Sequence, residues 1–211
     1  MINKPAGLPV QGGKGVGVSL DSILSESRPQ RPLLVHRLDR DTSGLILVAK
    51  DKAAAAFFSR LFSEGAAKQE GRALARKYLA VCSGKPRLGE GLISMPLEFQ
   101  GRVKDSQTAY RLVSSRASGD DVFSLLELSL ETGRTHQIRR HLALTAIPVL
   151  GDDKYGDFRL NRRLHKTEGL SRLLLHASRL IIKKTPDGHS LDLSAPLPDY
   201  FRQFTDRHGL Y

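Results

Sequence analysis

The 211-residue sequence predicts one α+β domain, with a long mixed, mostly antiparallel β-sheet flanked by helices and loops. Three observations carry this. Strand-like runs do not alternate regularly with helical ones, which excludes a doubly wound parallel sheet. "TAYRLVS" and "VFSLLELSLE" are separated only by the turn-rich "SRASGDD", the pattern of an antiparallel hairpin. With 40% hydrophobic and 26% charged residues, the chain has the composition of a globular protein able to bury a core.

The elements follow in order. "MINKPAGLPV" reads as the end of a strand entering a Pro/Gly turn, an abrupt start that suggests a fragment. In "VSLDSILSES", Leu20, Ile23 and Leu24 stand at helical spacing, with Ser19 available as a cap. "LLVH" and "GLILVA" are buried strands. "DKAAAAFFSRLFSEG" is the clearest helix: Asp51 caps it, Ala54, Phe57, Phe58, Leu61 and Phe62 line one face, and Gly65 stops it. "EGAAKQEGRALAR" is a polar, Gly- and Ala-rich connector before the strand "KYLAVCS". After the hairpin, "THQIRRHLALTA" is an amphipathic helix capped by Thr135, with Ile138, Leu142 and Thr145 on one face. "RLLLHASRLIIKK" and "HSLDLSAPL" are the last strands, joined across the turn "TPDG".

Thirty-three Lys and Arg against 22 Asp and Glu leave a net charge of +11. Such a surplus favours a polyanionic partner through counterion release, and nucleic acid is the usual one. Cys82 is the only cysteine, so neither an intrachain disulfide nor a multi-cysteine zinc site can form. Apolar runs are far short of the ~20 residues that span a bilayer, and no signal-peptide layout opens the chain. These features point to a cytoplasmic protein without a membrane partner.

Several motifs carry no chemistry. "GGKGVG" (12–17) lacks the Gly-Lys-Ser/Thr ending of a nucleotide-triphosphate loop and reads as a loop beside a basic surface. His136 and His141 lie about 140° apart around a helix, so they cannot share one metal from one face. No His-Glu-x-x-His and no Gly-x-Ser-x-Gly elbow is present. The expectation is no metal and no cofactor.

"HRLDRDTSG" (36–44) differs. A strand-to-strand turn needs only about two to five residues, yet nine stand here between two apolar runs. "DTSG" is ordinary turn chemistry, but Leu38 points inward and leaves Asp39 flanked by Arg37 and Arg40. Neighbouring cations favour an ionised carboxylate, which serves as a nucleophile or base; the alternative is a salt-bridged surface turn. Tyr78, beside Arg76 and Lys77, is either a phenol eased towards phenolate or a strand tyrosine packed in the core. "ETGRTHQIRRHL" sets His136, Gln137, Arg139 and Arg140 on a helix that either lines a site or grips phosphate.

Together, "HRLDRDTSG", "KYLA" and "GRTHQIRRHL" with "GDDKYG" behind it resemble the RluA family of pseudouridine synthases. "NKPAG" and "RLLLHA" fit as well, so the matching segments run from about residue 2 to residue 197. Spacing and the stretches "GGKGVG" and "DDKYGDFRLNRRL" look nearest the RluC-type branch acting on large-subunit ribosomal RNA. The resemblance implies a catalytic domain over 1–211, lacking the small N-terminal RNA-binding domain usual in that branch; nothing in the sequence demands more than a monomer. It implies Asp39 as nucleophile, Arg37 as the residue that displaces the target nucleotide, Tyr78 as base for the C5 proton, and Arg139 as partner of the catalytic carboxylate. His36, Arg40, Thr42, Arg134, His136 and Gln137 are expected at the RNA interface. The reaction implied isomerises uridine to pseudouridine, with transfer RNA as an alternative target and a non-catalytic RNA-binding module as the rival class. One departure stands out: where the family usually has Gly-His before the proline of "TAIPVLGDD", this chain has Ala146 and Ile147.

Overall fold

The computed structural model describes residues 1–13, 17–26, 31–63 and 74–211. Half of "GGKGVG", the stop at Gly65 and most of the Gly- and Ala-rich connector therefore lie outside the described residues. The fold is α+β, eight strands share one sheet, and every pairing with a defined register is antiparallel. The chain forms two compact units, Met1–Arg76 with Ala177–Pro196, and Lys77–His176 with Leu197–Tyr211.

The first unit begins with β1 (Ile2–Lys4), antiparallel to β3 (Ser43–Ile46) with Lys4 opposite Gly44. A separate ribbon joins β2 (Leu33–Leu34) to β4 (Val48–Ala49). The expected strand "GLILVA" is thus broken at Leu47, and its halves pair with different partners. Helix α1 (Leu20–Glu26) opens with reciprocal bonds between Ser19 and Ser22, and the Asp51 carboxylate accepts the Ala54 amide at 2.8 Å to cap α2 (Lys52–Ser63). Phe58 and Leu61 of α2 enter a core with Val35, Leu45, Leu47, Leu180 and Ile182. Leu180 and Ile182 belong to β11 (Leu175–Ile182), which pairs with β12 (Leu191–Ser194).

The second unit contains most of β5 (Leu74–Ser83), then β6 (Glu90–Ser94), β9 (Gln107–Ser118) and β10 (Asp121–Leu130). The expected hairpin is β9–β10, but its strands run through most of "SRASGDD" and leave only Gly119 and Asp120 to turn. A small hairpin, β7 (Leu97–Phe99) and β8 (Arg102–Lys104), turns through Gln100 and Gly101, both at positive φ. Helix α3 (Gln137–Leu144) corrects one expectation: His136, not Thr135, is its N-cap, in the left-handed conformation and without a side-chain cap.

Two helices escaped the sequence reading. Helix α4 (Phe158–Glu168) has plain end signals, an Asp157 carboxylate accepting the Arg159 and Leu160 amides and a left-handed Gly169 closing it. Its net-basic composition hid a two-leucine stripe, Leu160 and Leu164. Helix α5 (Asp199–Arg207) follows Pro198 and buries Phe201 and Phe204. These four side chains complete a core with Val81, Phe123, Leu125, Leu150 and Leu174.

Candidate active site

In the first unit, residues 35–42 connect β2 of the ribbon to β3 of the main sheet. The nonapeptide is long because it crosses between two sheets; a hairpin turn could not make that connection. Its two ends are fixed by different means. His36 Nε2 accepts the Leu47 amide at 2.9 Å, and the ring stacks on Phe62 with centroids 4.1 Å apart. Burial, aided by the charge of Arg76, pushes the His36 pKa down to about 3, so the ring is neutral at physiological pH. His36, expected at the RNA interface, is by these contacts an anchor of the loop.

At the far end, Gly44 has φ +113, and a Cβ there would sit 2.7 Å from the Ala177 nitrogen and closer still to its carbonyl oxygen. Only glycine allows that approach. Thr42, also expected at the interface, is buried, and its amide donates to the Asp39 carbonyl at 3.2 Å. Leu38 is buried as anticipated, which leaves Asp39 half-buried between the exposed Arg37 and Arg40. Arg40 reaches Asp41, Nε to Oδ1 at 3.2 Å.

Beneath the loop lies a residue to which the sequence reading gave no role. Lys4 is wholly buried, and its ammonium donates to the carbonyls of Pro5 (2.9 Å), Leu8 (2.9 Å) and Arg40 (2.8 Å). Three N–H groups meet three carbonyls, the full donor capacity of a charged lysine. Burial pulls its pKa down to about 8, while the charges of Asp41 and Asp39 resist that fall. The "NKP" of the opening turn was the available signal: a lysine at a strand end, alternating inward.

In the second unit, Tyr78 is buried on β5 opposite Leu128. Lys77 does not lie beside its phenol, because consecutive strand residues face opposite ways; Lys77 reaches Glu127 at 3.4 Å. Arg139 is 2% exposed and holds Asp152 through two parallel bonds, Nε to Oδ2 and Nη2 to Oδ1, both 2.7 Å. The Lys154 and Tyr155 amides add 2.9 Å bonds to Asp152 Oδ1, and Arg139 Nη2 also meets Asp153 at 3.0 Å. Burial alone would raise the Asp152 pKa; the guanidinium and the two amides outweigh it and hold the carboxyl below its ordinary value. The Arg139 guanidinium lies 5.4 Å from the Tyr155 ring centre, and the Tyr155 hydroxyl is 3.1 Å from His136 Nδ1.

Gln137 sits in the interior, not at a surface that could touch RNA. Its oxygen accepts from the Thr132 hydroxyl and the Arg134 amide, and its nitrogen donates to the Gln107 carbonyl and Thr108 Oγ1. Both donors and both lone pairs are in use. Thr108 passes the chain to buried His141, whose other nitrogen meets Ser106 and the Met95 carbonyl. Arg134 is exposed and braces the same region, Nε donating to the Asp105 carbonyl at 3.3 Å. Among the described residues no His, Cys, Asp and Glu cluster converges as a metal site would require, and no helix is long and apolar enough to cross a membrane.

Comparison with known proteins gives the family. Residues 1–144 match the family described as RNA pseudouridylate synthase. Ribosomal large subunit pseudouridine synthase C of Rickettsia bellii is 34% identical over 96% of this chain and 66% of its own length. An RNA pseudouridine synthase of Zymomonas mobilis, itself uncharacterized, is 34% identical over 98% of this chain and 91% of its own. Among solved structures, human RNA Pseudouridylate Synthase Domain Containing 4 superposes with a TM-score of 0.78 at 27% identity, covering 99% of this chain and 89% of that one. The chain spans about two thirds of the length of the synthase C relatives.

Proposed function

Because this chain belongs to the RNA pseudouridylate synthase family, we propose that it isomerises uridine to pseudouridine in RNA, with large-subunit ribosomal RNA as target and Asp39 as nucleophile. The observation that carries this reading is the loop around Asp39: a half-exposed carboxylate between two exposed arginines, on a backbone fixed from within by Lys4 and His36. A surface turn needs no buried ammonium beneath it. Support for the ribosomal target comes from the synthase C relatives named above.

In the proposed reaction the N1–C1′ bond breaks, the uracil turns, and C5 bonds to C1′. A proton leaves C5 and one arrives at N1, so composition is unchanged. Asp39 acts at the sugar, Tyr78 takes the C5 proton, and Arg139 serves the catalytic carboxylate. A stacked uridine must first be flipped out, at a cost of a few kcal/mol. Arg37, Arg40 and Arg134, all exposed, offset that by gripping phosphate.

The test is tritium release from RNA carrying C5-tritiated uridine, with unmodified large-subunit ribosomal RNA beside transfer RNA. Release from ribosomal RNA by this chain, and none by Asp39→Asn at unchanged RNA affinity, is the expected result. Turnover by Asp39→Asn would remove Asp39 from its role, and release from transfer RNA alone would overturn the target.

A further inference from the structure

A cavity of about 510 Å3 opens in the second unit between the β7–β8 hairpin and the segment that leads into α3. Its volume falls in the range of small-molecule sites. Arg102 and Lys104 of β8, Arg134 before α3 and Arg140 within α3 line it together with Leu97 and Phe99 of β7. No carboxylate does. Among the described residues, none of these four cations is paired with an acidic side chain.

Two of the arginines are braced. Arg140 Nη1 donates to the Glu98 carbonyl at 2.8 Å, and Arg134 Nε donates to the Asp105 carbonyl at 3.3 Å. Each bond uses one of five guanidinium N–H groups and leaves the charge uncompensated. Phe99 is 51% exposed, an aromatic face left in solvent at the edge of a strongly positive recess. Four convergent cations call for an anion, and an open ring beside them calls for a planar partner. A nucleotide supplies both on one molecule.

We propose that this cavity binds one unpaired nucleotide of the RNA substrate, its base stacked on Phe99 and its phosphate held by Arg102, Lys104, Arg134 and Arg140. The proposal rests on the reading that the substrate is RNA and adds a contact point to it: neither Asp39 nor Tyr78 lines this cavity. The β7–β8 hairpin then serves as a clamp whose ring selects single strand and whose cations hold it.

The experiment is fluorescence anisotropy with a fluorescein-labelled single-stranded oligouridylate, alone and paired with its oligoadenylate complement. Phe99→Ala weakens single-strand binding roughly tenfold, leaves duplex binding unchanged and keeps the slope of log affinity against log salt. Phe99→Tyr retains the affinity. Lys104→Gln lowers the salt slope by about 0.7, the value for one single-strand phosphate contact. Unchanged binding by Phe99→Ala, or equal weakening for strand and duplex, would overturn the proposal. C5-tritium release is read in parallel on the unmutated chain. Release together with Phe99-independent binding removes the cavity and leaves the proposed activity standing. Phe99-dependent binding without release supports the cavity and sinks the activity.

Discussion

Arg139 and Asp152 meet through two parallel hydrogen bonds of 2.7 Å, with almost none of either side chain reaching solvent. A buried pair of this kind is strongly destabilising when one partner is lost, because the survivor's charge remains in the interior. Asp153 still meets Arg139 at 3.0 Å when Asp152 is neutralised, so Asp152→Asn lowers the free energy of unfolding by about 1–3 kcal/mol in denaturant titrations. The pH dependence has a definite sign. The folded Asp152 carboxyl titrates below its ordinary value of 3.8, so its contribution is present above that value and is lost as pH falls through the depressed one. Acid titration of Asp152→Asn lacks that component; an unaltered acid limb would show that the pair contributes nothing.

Lys4 gives a pH effect in the other direction. Its folded pKa near 8 lies below the ordinary 10.5, so the unfolded chain holds the proton more tightly and stability from this group rises between those values. Deprotonation also leaves two N–H groups for three carbonyls and removes the positive charge beneath Asp39. Catalysis is expected to fall above about pH 8 while thermal stability does not, and Lys4→Met to be slow without that limb. A limb that persists in Lys4→Met would assign it to another group.

Gln137→Leu removes four hydrogen bonds inside the second unit and leaves the Thr132 hydroxyl and the Arg134 amide without the acceptor they share. A loss of about 2–4 kcal/mol is expected by chemical denaturation, with no change in the salt dependence of RNA binding. A reduced salt slope with unchanged stability would return Gln137 to the RNA surface.

Ala146 has φ 59, the left-handed position after α3, and the flanking bonds run from the Ala146 amide to the Ala143 carbonyl and from the Ile147 amide to the Leu142 carbonyl. Both bonds are those of a Schellman turn, which favours glycine at this position. An L-residue there costs about 1–2 kcal/mol, partly returned when glycine loses more freedom on folding. Ala146→Gly should raise stability by about 0.5–1 kcal/mol, read as a melting temperature about 2 °C higher. A lower melting temperature would show that the alanine methyl is needed where it stands.

What was legible in the sequence was what local periodicity carries. The Asp51-capped helix and the β9–β10 hairpin show their apolar spacing and turn residues within a short window. The break at Leu47 was not legible, because "GLILVA" is one apolar run and only its pairing with two different partners divides it. Helix α4 hid for the opposite reason: two buried leucines in eleven residues are too few to register against five Arg, Lys and His. For the site, the motifs marked Asp39 and Arg139, but the work of Lys4, Gln137 and Asp152 is tertiary. Each is a polar side chain whose role depends on which backbone or side-chain groups surround it, and no spacing rule encodes that.

The first unit is discontinuous: Met1–Arg76 is completed by Ala177–Pro196, and Gly44 packs directly on Ala177. A ribosome making this chain releases the Asp39 loop early but supplies its backing strand late, on the order of ten seconds later at ordinary elongation rates. Throughout that interval the nascent chain carries the Asp39 loop without the strand against which Gly44 packs. A chain terminated before Ala177 thus carries the loop without the strand that backs Gly44, and the geometry around Asp39 is complete only once that strand has been made.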